Sequence, residues 1–330
     1  MKTALLGPSV VDEQTPLADV IDAVEAAFGA YARGDVVMPA KSYVDLPRYN
    51  GDFRSMPAYV AADAWDAAAV KWVNVHPDNP REHDLPTVLG TLIYSDPETA
   101  FPLAVMDGTH LTRKRTGAVA AVATDHLALP DATSMGLVGA GVQSYTQLVA
   151  ISQVRDIETV VVADRNESAV EAFIEYFEDR FSVRGGTIAE AAACDVLSTV
   201  TPAEEPLVHS VGDHTHVNAI GADAPGKHEI ADEVLTSATI VIDDYEQCTH
   251  SGEINVPWSA GVLTDVDIDA ELGEIVVGDR PGRAGIDGVT VFDSTGLAIQ
   301  DVACAHVAYE NARDADAGVD FGLVGTDLSD

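Results

Sequence analysis

Between Thr15 and Arg33 the apolar residues fall at Leu17, Val20, Ile21, Val24, Ala27, Phe28 and Tyr31. That three-and-four spacing puts them on one face of a helix, and Gly34 ends it. From Val36 to Met106 the period shortens. Runs rich in β-formers at Ser42–Leu46, Phe53–Val60, Ala67–Val75, Thr87–Tyr94 and Pro102–Met106 are punctuated by Pro and Gly. Such runs, joined by short turns, predict an antiparallel or mixed sheet. Asp107-Gly108 reads as a turn, and an alanine-rich helix is predicted over Thr109–Thr124, capped by Thr109 or a near neighbour.

Beyond Ala132 strand and helix patterns alternate. The apolar runs are Met135–Val138, Thr159–Ala163, Val196–Val200, Val217–Ile220, Ile240–Ile242 and Val289–Phe292, with helical stretches between them. That alternation predicts a doubly wound α/β domain. The last run feeds a helix over Gly296–Ala312 that returns to the first domain, and the polar, acidic tail after Arg313 is expected to be loosely held. The fold class is therefore α/β, a doubly wound sheet over 126–296 beside an α+β domain built from 1–125 and 297–330.

The second half centres on Met135–Ser144, Met-Gly-Leu-Val-Gly-Ala-Gly-Val-Gln-Ser. A strand, the turn Gly139-Ala140-Gly141 and an amphipathic helix from Val142 to about Val154 follow one another. Gly139 permits the turn, and Gly141 has no side chain to hold a pyrophosphate away from the backbone. The helix beginning at Val142 offers that phosphate unpaired N–H groups and the positive end of its dipole. The third small position is Ser144, so the pattern G-x-G-x-x-S falls short of the strict fingerprint. The next β-rich run ends at Asp164, and a carboxylate roughly 20 residues past the glycines is where the adenosine ribose is held. Asp164 equally suits a cap for the helical segment opened by Arg165-Asn166-Glu167. Its charge favours NAD by repelling a 2′-phosphate, while Arg165 leaves NADP open.

Composition narrows the function classes. With 330 residues the chain has room for two cores. Eighteen basic residues against 54 acidic ones give a net charge of −36. A field of that sign disfavours nucleic acid and anionic membranes, and no apolar run is long enough to span a bilayer. The acids are scattered from Asp12 to Asp330, and lysines are few, which reads as a solvated surface adapted to a salt-rich cytosol where self-repulsion is screened. The first apolar stretch is too short for a secretory signal, and Cys194, Cys248 and Cys304 read as buried small hydrophobes of a reducing cytoplasm. No histidine pair has metal-ligand spacing, so no metal is expected.

Lysine scarcity makes each lysine informative. Lys71, in Val70-Lys71-Trp72-Val73, sits inside an apolar strand. It either snorkels from a solvated face or is buried against a carboxylate or an anionic ligand. Asp223, in Asn218–Lys227, stands just past a strand end, where open α/β sheets place their ligands; the alternative is an Asx turn before Pro225. Arg113 and Arg115 near the start of the alanine-rich helix read either as site residues or as solvated ones.

Together these pieces resemble the ornithine cyclodeaminase/mu-crystallin family, which includes archaeal alanine dehydrogenases. The resemblance runs from about Val36 to Glu310 through MPAK (38–41), RSMPAY (54–59), KWVNVHP (71–77), AVMDG (104–108), TRKRTGAVAAVAT (112–124), GAGVQS (139–144), STVT (198–201), NAIGADAPGK (218–227) and FDSTGLAIQD (292–301). It implies a homodimer in which 126–296 is a Rossmann NAD(P)-binding domain and 1–125 with 297–330 binds substrate and dimerises. It implies that Lys41, Lys71 and Arg115 surround the substrate carboxylate and amine, and that Asp223 is the acid/base group; either Asp223, or Lys71 through water, would then move the protons. It places Thr87, Arg115, Gly139, Gly141, Val142, Gln143, Asp164, Thr201, Ala219, Ile220, Gly221, Ala222, Lys227 and Ser294 against the dinucleotide. Three of the five lysines thus fall on site positions.

Two departures bear on substrate. Where the cyclodeaminases hold ornithine's distal amine with a glutamate, this chain has Arg54, which repels an ammonium and suits a small or anionic side chain. Where mu-crystallin-like proteins have a serine, this chain keeps Asp223. The expected activity is NAD-dependent oxidative deamination of a small L-amino acid, L-alanine to pyruvate and ammonia. The alternatives are ornithine cyclodeaminase, cyclic ketimine reductase, and a non-catalytic NAD(P)-gated binding protein.

Overall fold

The computed structural model describes residues 1–325. They divide into two units, Met1–Arg115 with the stretch from Ala298 on, and Thr116–Leu297. Each carries an eight-stranded sheet.

The first unit contains β1 (Thr3–Leu6), β2 (Val36–Val37), β3 (Ser42–Leu46), β4 (Gly51–Ala61), β5 (Asp66–Val75), β6 (Val88–Ser95) and β7 (Pro102–Asp107), with a further strand Val319–Phe321. Their order is Val319–Phe321, β1, β7, β6, β5, β4, β2, with β3 paired to β4. Only β1 and β7 run parallel, so the sheet is mixed. One row across it reads Leu6, Met106, Leu92, Lys71, Met56, and every member is buried. The helix Ala298–Asp314 packs on β4, β5 and β6 and against the helix Leu17–Arg33. Alternation sends Trp72 and Ile93 to the opposite face, where they are 45% and 40% exposed.

Two expectations for this unit need correction. Asp107-Gly108 is not a turn: β7 runs directly into a helix spanning Gly108–Leu127. The cap is Asp107, whose carboxylate accepts from the amides of Thr109 (3.4 Å) and His110 (2.8 Å). The Thr109 hydroxyl instead accepts from the Gly90 amide at 3.2 Å. Nor is the tail loose throughout. The helix runs to Asp314, Gly318 turns the chain at φ +93°, and Val319–Phe321 pairs antiparallel with β1, satisfying an otherwise open strand edge. The last five residues of that tail, 326–330, lie outside the described residues.

The second unit contains β8 (Ser134–Val138), β9 (Thr159–Ala163), β10 (Ser182–Gly185), β11 (Val196–Thr199), β12 (His216–Ala219), β13 (Thr239–Ile242), β14 (Ile268–Glu271) and β15 (Thr290–Asp293). All pair in parallel, in the order β10-β9-β8-β11-β12-β15-β13-β14. β10 and β14, the edge strands, are Ser-Val-Arg-Gly and Ile-Asp-Ala-Glu; an edge needs no continuous apolar run, which is why pattern reading passes over them. Strand order reverses between β8 and β11, and a sheet of this kind binds its ligand at the carboxyl ends beside that switch point. The helix after the glycine turn spans Val142–Ile151 and stops short of Val154.

Candidate active site

The glycine turn lies at the carboxyl end of β8. Gly139 adopts φ +104°, and a Cβ there would stand 3.0 Å from the Val200 carbonyl oxygen. A Cβ on Gly141 would meet nothing within 4 Å, so the space beside it is open for a phosphate. Ser144, the departure from the fingerprint, is buried and its hydroxyl donates to the Gly139 carbonyl at 2.5 Å, closing the turn from the helix side. Val142 is 57% exposed at the helix start, and Gln143 follows it half-buried.

Asp164 follows β9 but does not cap the next helix, whose N-cap position is Asn166. One of its oxygens accepts from the Ala140 amide at 2.7 Å and the other from the Asn166 amide at 2.8 Å. Each carboxylate oxygen has a further lone pair to offer a ribose hydroxyl. A cleft of about 530 Å³ opens here, lined among others by Gly139, Asp164, Arg165, Thr187, Thr201 and Leu207. Its apolar walls and single carboxylate suit an adenosine.

Farther along the same sheet edge, Thr201 follows β11 and Ala219–Ala222 runs out of β12. Asp223 is half-buried, and its carboxylate accepts from Lys227 Nζ at 2.5 Å. Ser294, at the end of β15, donates through its hydroxyl to Asp243 at 2.9 Å and through its amide to the Ala219 carbonyl. Thr87 and Arg115 belong to the first unit; the Thr87 carbonyl accepts from the His76 amide at 2.8 Å.

In the first unit Lys71 is buried rather than snorkelling. Its ammonium donates to Asp301 at 2.7 Å and to the Thr112 hydroxyl at 3.4 Å. Arg115 Nε lies 3.2 Å from the same Asp301 oxygen, and the Arg115 guanidinium donates to Gln300 Oε1 at 2.9 Å. Two cations thus share one carboxylate. Burial, with the charges of Arg115 and Lys41 and against the pull of Asp301, lowers the Lys71 ammonium to about 8. The second Asp301 oxygen and Gln300 Nε2 are buried with no hydrogen-bond partner in the protein. Arg54, on the Lys71 face of β4, pairs with Asp52 at 3.0 Å and stacks over Tyr43.

The profile of the ornithine cyclodeaminase/mu-crystallin family matches residues 1–316. The chain belongs to that family. An alanine dehydrogenase of Archaeoglobus fulgidus is 45% identical over 321 residues, covering 96% of this chain and 98% of that protein. Among solved structures, an archaeal alanine dehydrogenase dimer with bound NAD superposes with a TM-score of 0.93 at 44% identity, covering 98% of this chain and all of that one. The Δ1-pyrroline-2-carboxylate reductase of Thermococcus litoralis, in complex with NADH and L-proline, gives 0.91 at 35% identity over 96% of this chain and 99% of that one.

Within this family chain, sequence reading passed over Asp301 and Gln300 as site residues. The signal was present, because two adjacent polar residues interrupt the otherwise apolar start of the helix Ala298–Asp314. Among the described residues no cluster of His, Cys, Asp and Glu is arranged to hold a metal, and no helix is long and apolar enough to cross a membrane.

Proposed function

We propose that this chain is an NAD-dependent amino-acid dehydrogenase that converts a small L-amino acid, L-alanine foremost, to the 2-oxo acid and ammonia. The observation that carries the reading is the buried pair of cations, Lys71 and Arg115, on the single carboxylate of Asp301. This arrangement keeps a surplus positive charge for an anionic substrate group. The cleft around Gly139 and Asp164 supports the cofactor, and the kinship with alanine dehydrogenases supports the substrate.

A nicotinamide bound there would supply the acceptor for the hydride leaving the substrate Cα. Lys41, Lys71 and Arg115 hold the carboxylate, which leaves the Cα–H one direction to face. Water then adds to the iminium carbon. Asp223 takes a proton from that water and passes it to the nitrogen, then takes the remaining hydroxyl proton as the C–N bond breaks and the C=O forms, so that ammonia and the 2-oxo acid separate. Lys227, paired to Asp223, orients the carboxylate for this exchange. NAD rather than NADP follows from the negative charge of Asp164.

Reduction of a cyclic ketimine runs the same geometry backwards, and the relationship to the Thermococcus litoralis reductase favours it as the second reading. Ornithine is a poorer fit, because the Arg54–Asp52 pair is neutral overall and offers a distal ammonium no net attraction. The test is NADH formation in concentrated salt with L-alanine, L-ornithine and L-proline. Alanine-dependent NADH is expected. Conversion of ornithine with no net NADH means cyclodeamination, which regenerates its cofactor. Silence with all three and with cyclic imines leaves a dinucleotide-gated binding protein.

We further propose that a second copy of the chain covers the outward face of the first unit's sheet. Phe53 and Trp72 stack there with ring centroids 5.0 Å apart, and Ile93 stands beside them, a patch that a lone chain leaves in water. The dimeric archaeal relative supports this reading. The acidic composition supports a salt-rich cytosol as the setting.

A further inference from the structure

Glu229 lies two residues beyond the Asn218–Lys227 segment and is fully buried. Its carboxylate is surrounded by donors. One oxygen accepts from the amide of Thr201 at 2.9 Å and from its hydroxyl at 2.7 Å, and the other accepts from the amide of Gly221 at 3.1 Å. Thr201 follows β11 and Gly221 follows β12, neighbouring parallel strands of the second unit's sheet. A single carboxylate therefore ties together the two loops that leave those strand ends.

The glycine at 221 is part of the arrangement. A Cβ there would stand 2.1 Å from the Glu229 oxygen, so only glycine lets the carboxylate reach that amide. The backbone of Glu229 is clamped in turn. Its carbonyl accepts from the amides of Leu207 (2.7 Å) and Val208 (3.0 Å), and its own amide donates to Glu253 at 2.8 Å. Glu253 also accepts from Ile230, and its amide donates to Asp293 at 2.9 Å. Each buried carboxylate thus gathers backbone amides of the next segment. Burial raises Glu229 above the usual carboxylate range, with the hydrogen bonds from Thr201, Thr199 and Gly221 opposing it only in part. Every one of these groups donates, so both carboxylate oxygens act as acceptors.

We propose that Glu229 is a positioning residue for the dehydrogenase reaction, holding the Thr201 loop and the Gly221–Asp223 loop in register. This rests on the function proposed above, with its proton-transferring carboxylate two residues past Gly221, and on the dinucleotide contacts that the family resemblance implies at Thr201 and Ala219–Ala222. Glu229 has no exposed surface through which to meet a substrate, so its influence passes through the loops it holds. Misplacement of a reacting group by about 1 Å costs roughly 100-fold in rate.

The test is Glu229→Gln, which keeps the shape and turns one acceptor into a donor facing an N–H. Turnover per NADH-binding site is expected to fall roughly 100-fold, with the amino-acid KM little changed. In parallel, hydrogen exchange at the Thr201 and Gly221 amides is expected to quicken while the amides of β11 and β12 stay protected. Unchanged turnover per bound NADH, or unchanged exchange at those two amides, overturns the proposal. If Glu229→Gln does not fold, Glu229→Asp takes its place: the charge is retained and the reach is shortened, and the same two readouts decide with a smaller expected loss. Should the parent protein turn over no amino or imino acid, the proposed function fails by itself, and the exchange measurement still reports whether Glu229 holds the loops.

Discussion

Lys71 Nζ stands 2.7 Å from Asp301 Oδ1, and both side chains are 1% exposed. The ammonium is lowered to about 8 by burial, with Asp301 opposing. Below about 8 Lys71 is charged, and in the proposed function it then holds the substrate carboxylate; above about 8 that hold would weaken. The amino-acid kcat/KM is therefore expected to fall as pH rises through about 8. Removing the charge of Asp301 removes what raises the Lys71 ammonium, so Asp301→Asn moves this limb to lower pH. A pH–rate profile of both proteins checks it, and a limb that stays in place refutes the coupling.

The same pair affects stability. Breaking a buried ion pair from one side costs about 3–5 kcal/mol, and Asp301→Asn is expected to lose that much in urea unfolding at neutral pH. The folded value of Lys71 lies below its ordinary 10.5. Between about 8 and 10.5 the unfolded chain therefore binds more protons, and this group makes stability rise with pH. Lys71→Met is expected to remove that rise, as unfolding midpoints across the window would show.

Asp164 joins the glycine turn to the cleft through the Ala140 amide. Hydrogen bonds to a charged group contribute about 1.5–3 kcal/mol, so Asp164→Ala is expected to weaken NADH binding roughly 10- to 100-fold. Asp164→Ser, with Arg165 beside it, is expected to narrow the gap between NADH and NADPH. Fluorescence titration with both nucleotides measures each change.

Asp223→Ala removes the proposed proton-transfer group and is expected to lower turnover about 10²- to 10⁴-fold. NADH affinity should persist, since Gly139, Gly141 and Asp164 are untouched. A variant that keeps the parent's turnover assigns the proton transfer elsewhere.

Ile93→Asp puts a charge on the exposed sheet face without touching the buried row beneath it. The expected result is a folded protein of half the sedimenting mass. An unchanged mass refutes the proposed contact through this face.

Much of the molecule follows from the order of residues alone. The helix Leu17–Arg33, the strands that line up with β3 to β7, and the strand, glycine turn and helix around Met135–Ser144 are local, because their apolar period is written in neighbouring residues. Lysine scarcity was enough to single out Lys71 as a residue needing a partner. Its partner could not be read off, since Asp301 lies 230 residues away and meets it only when the helix Ala298–Asp314 packs on β5. The same holds for Glu229, whose side chain looks like any other surface acid until folding brings Thr201 and Gly221 to it. Asp107 as cap, Val319–Phe321 as edge strand and the polar edges β10 and β14 likewise depend on what lies alongside in space. Periodicity and turn chemistry are properties of adjacent residues. The desolvation that makes a charge seek a partner, and the choice of that partner, arise only once distant segments have been packed together.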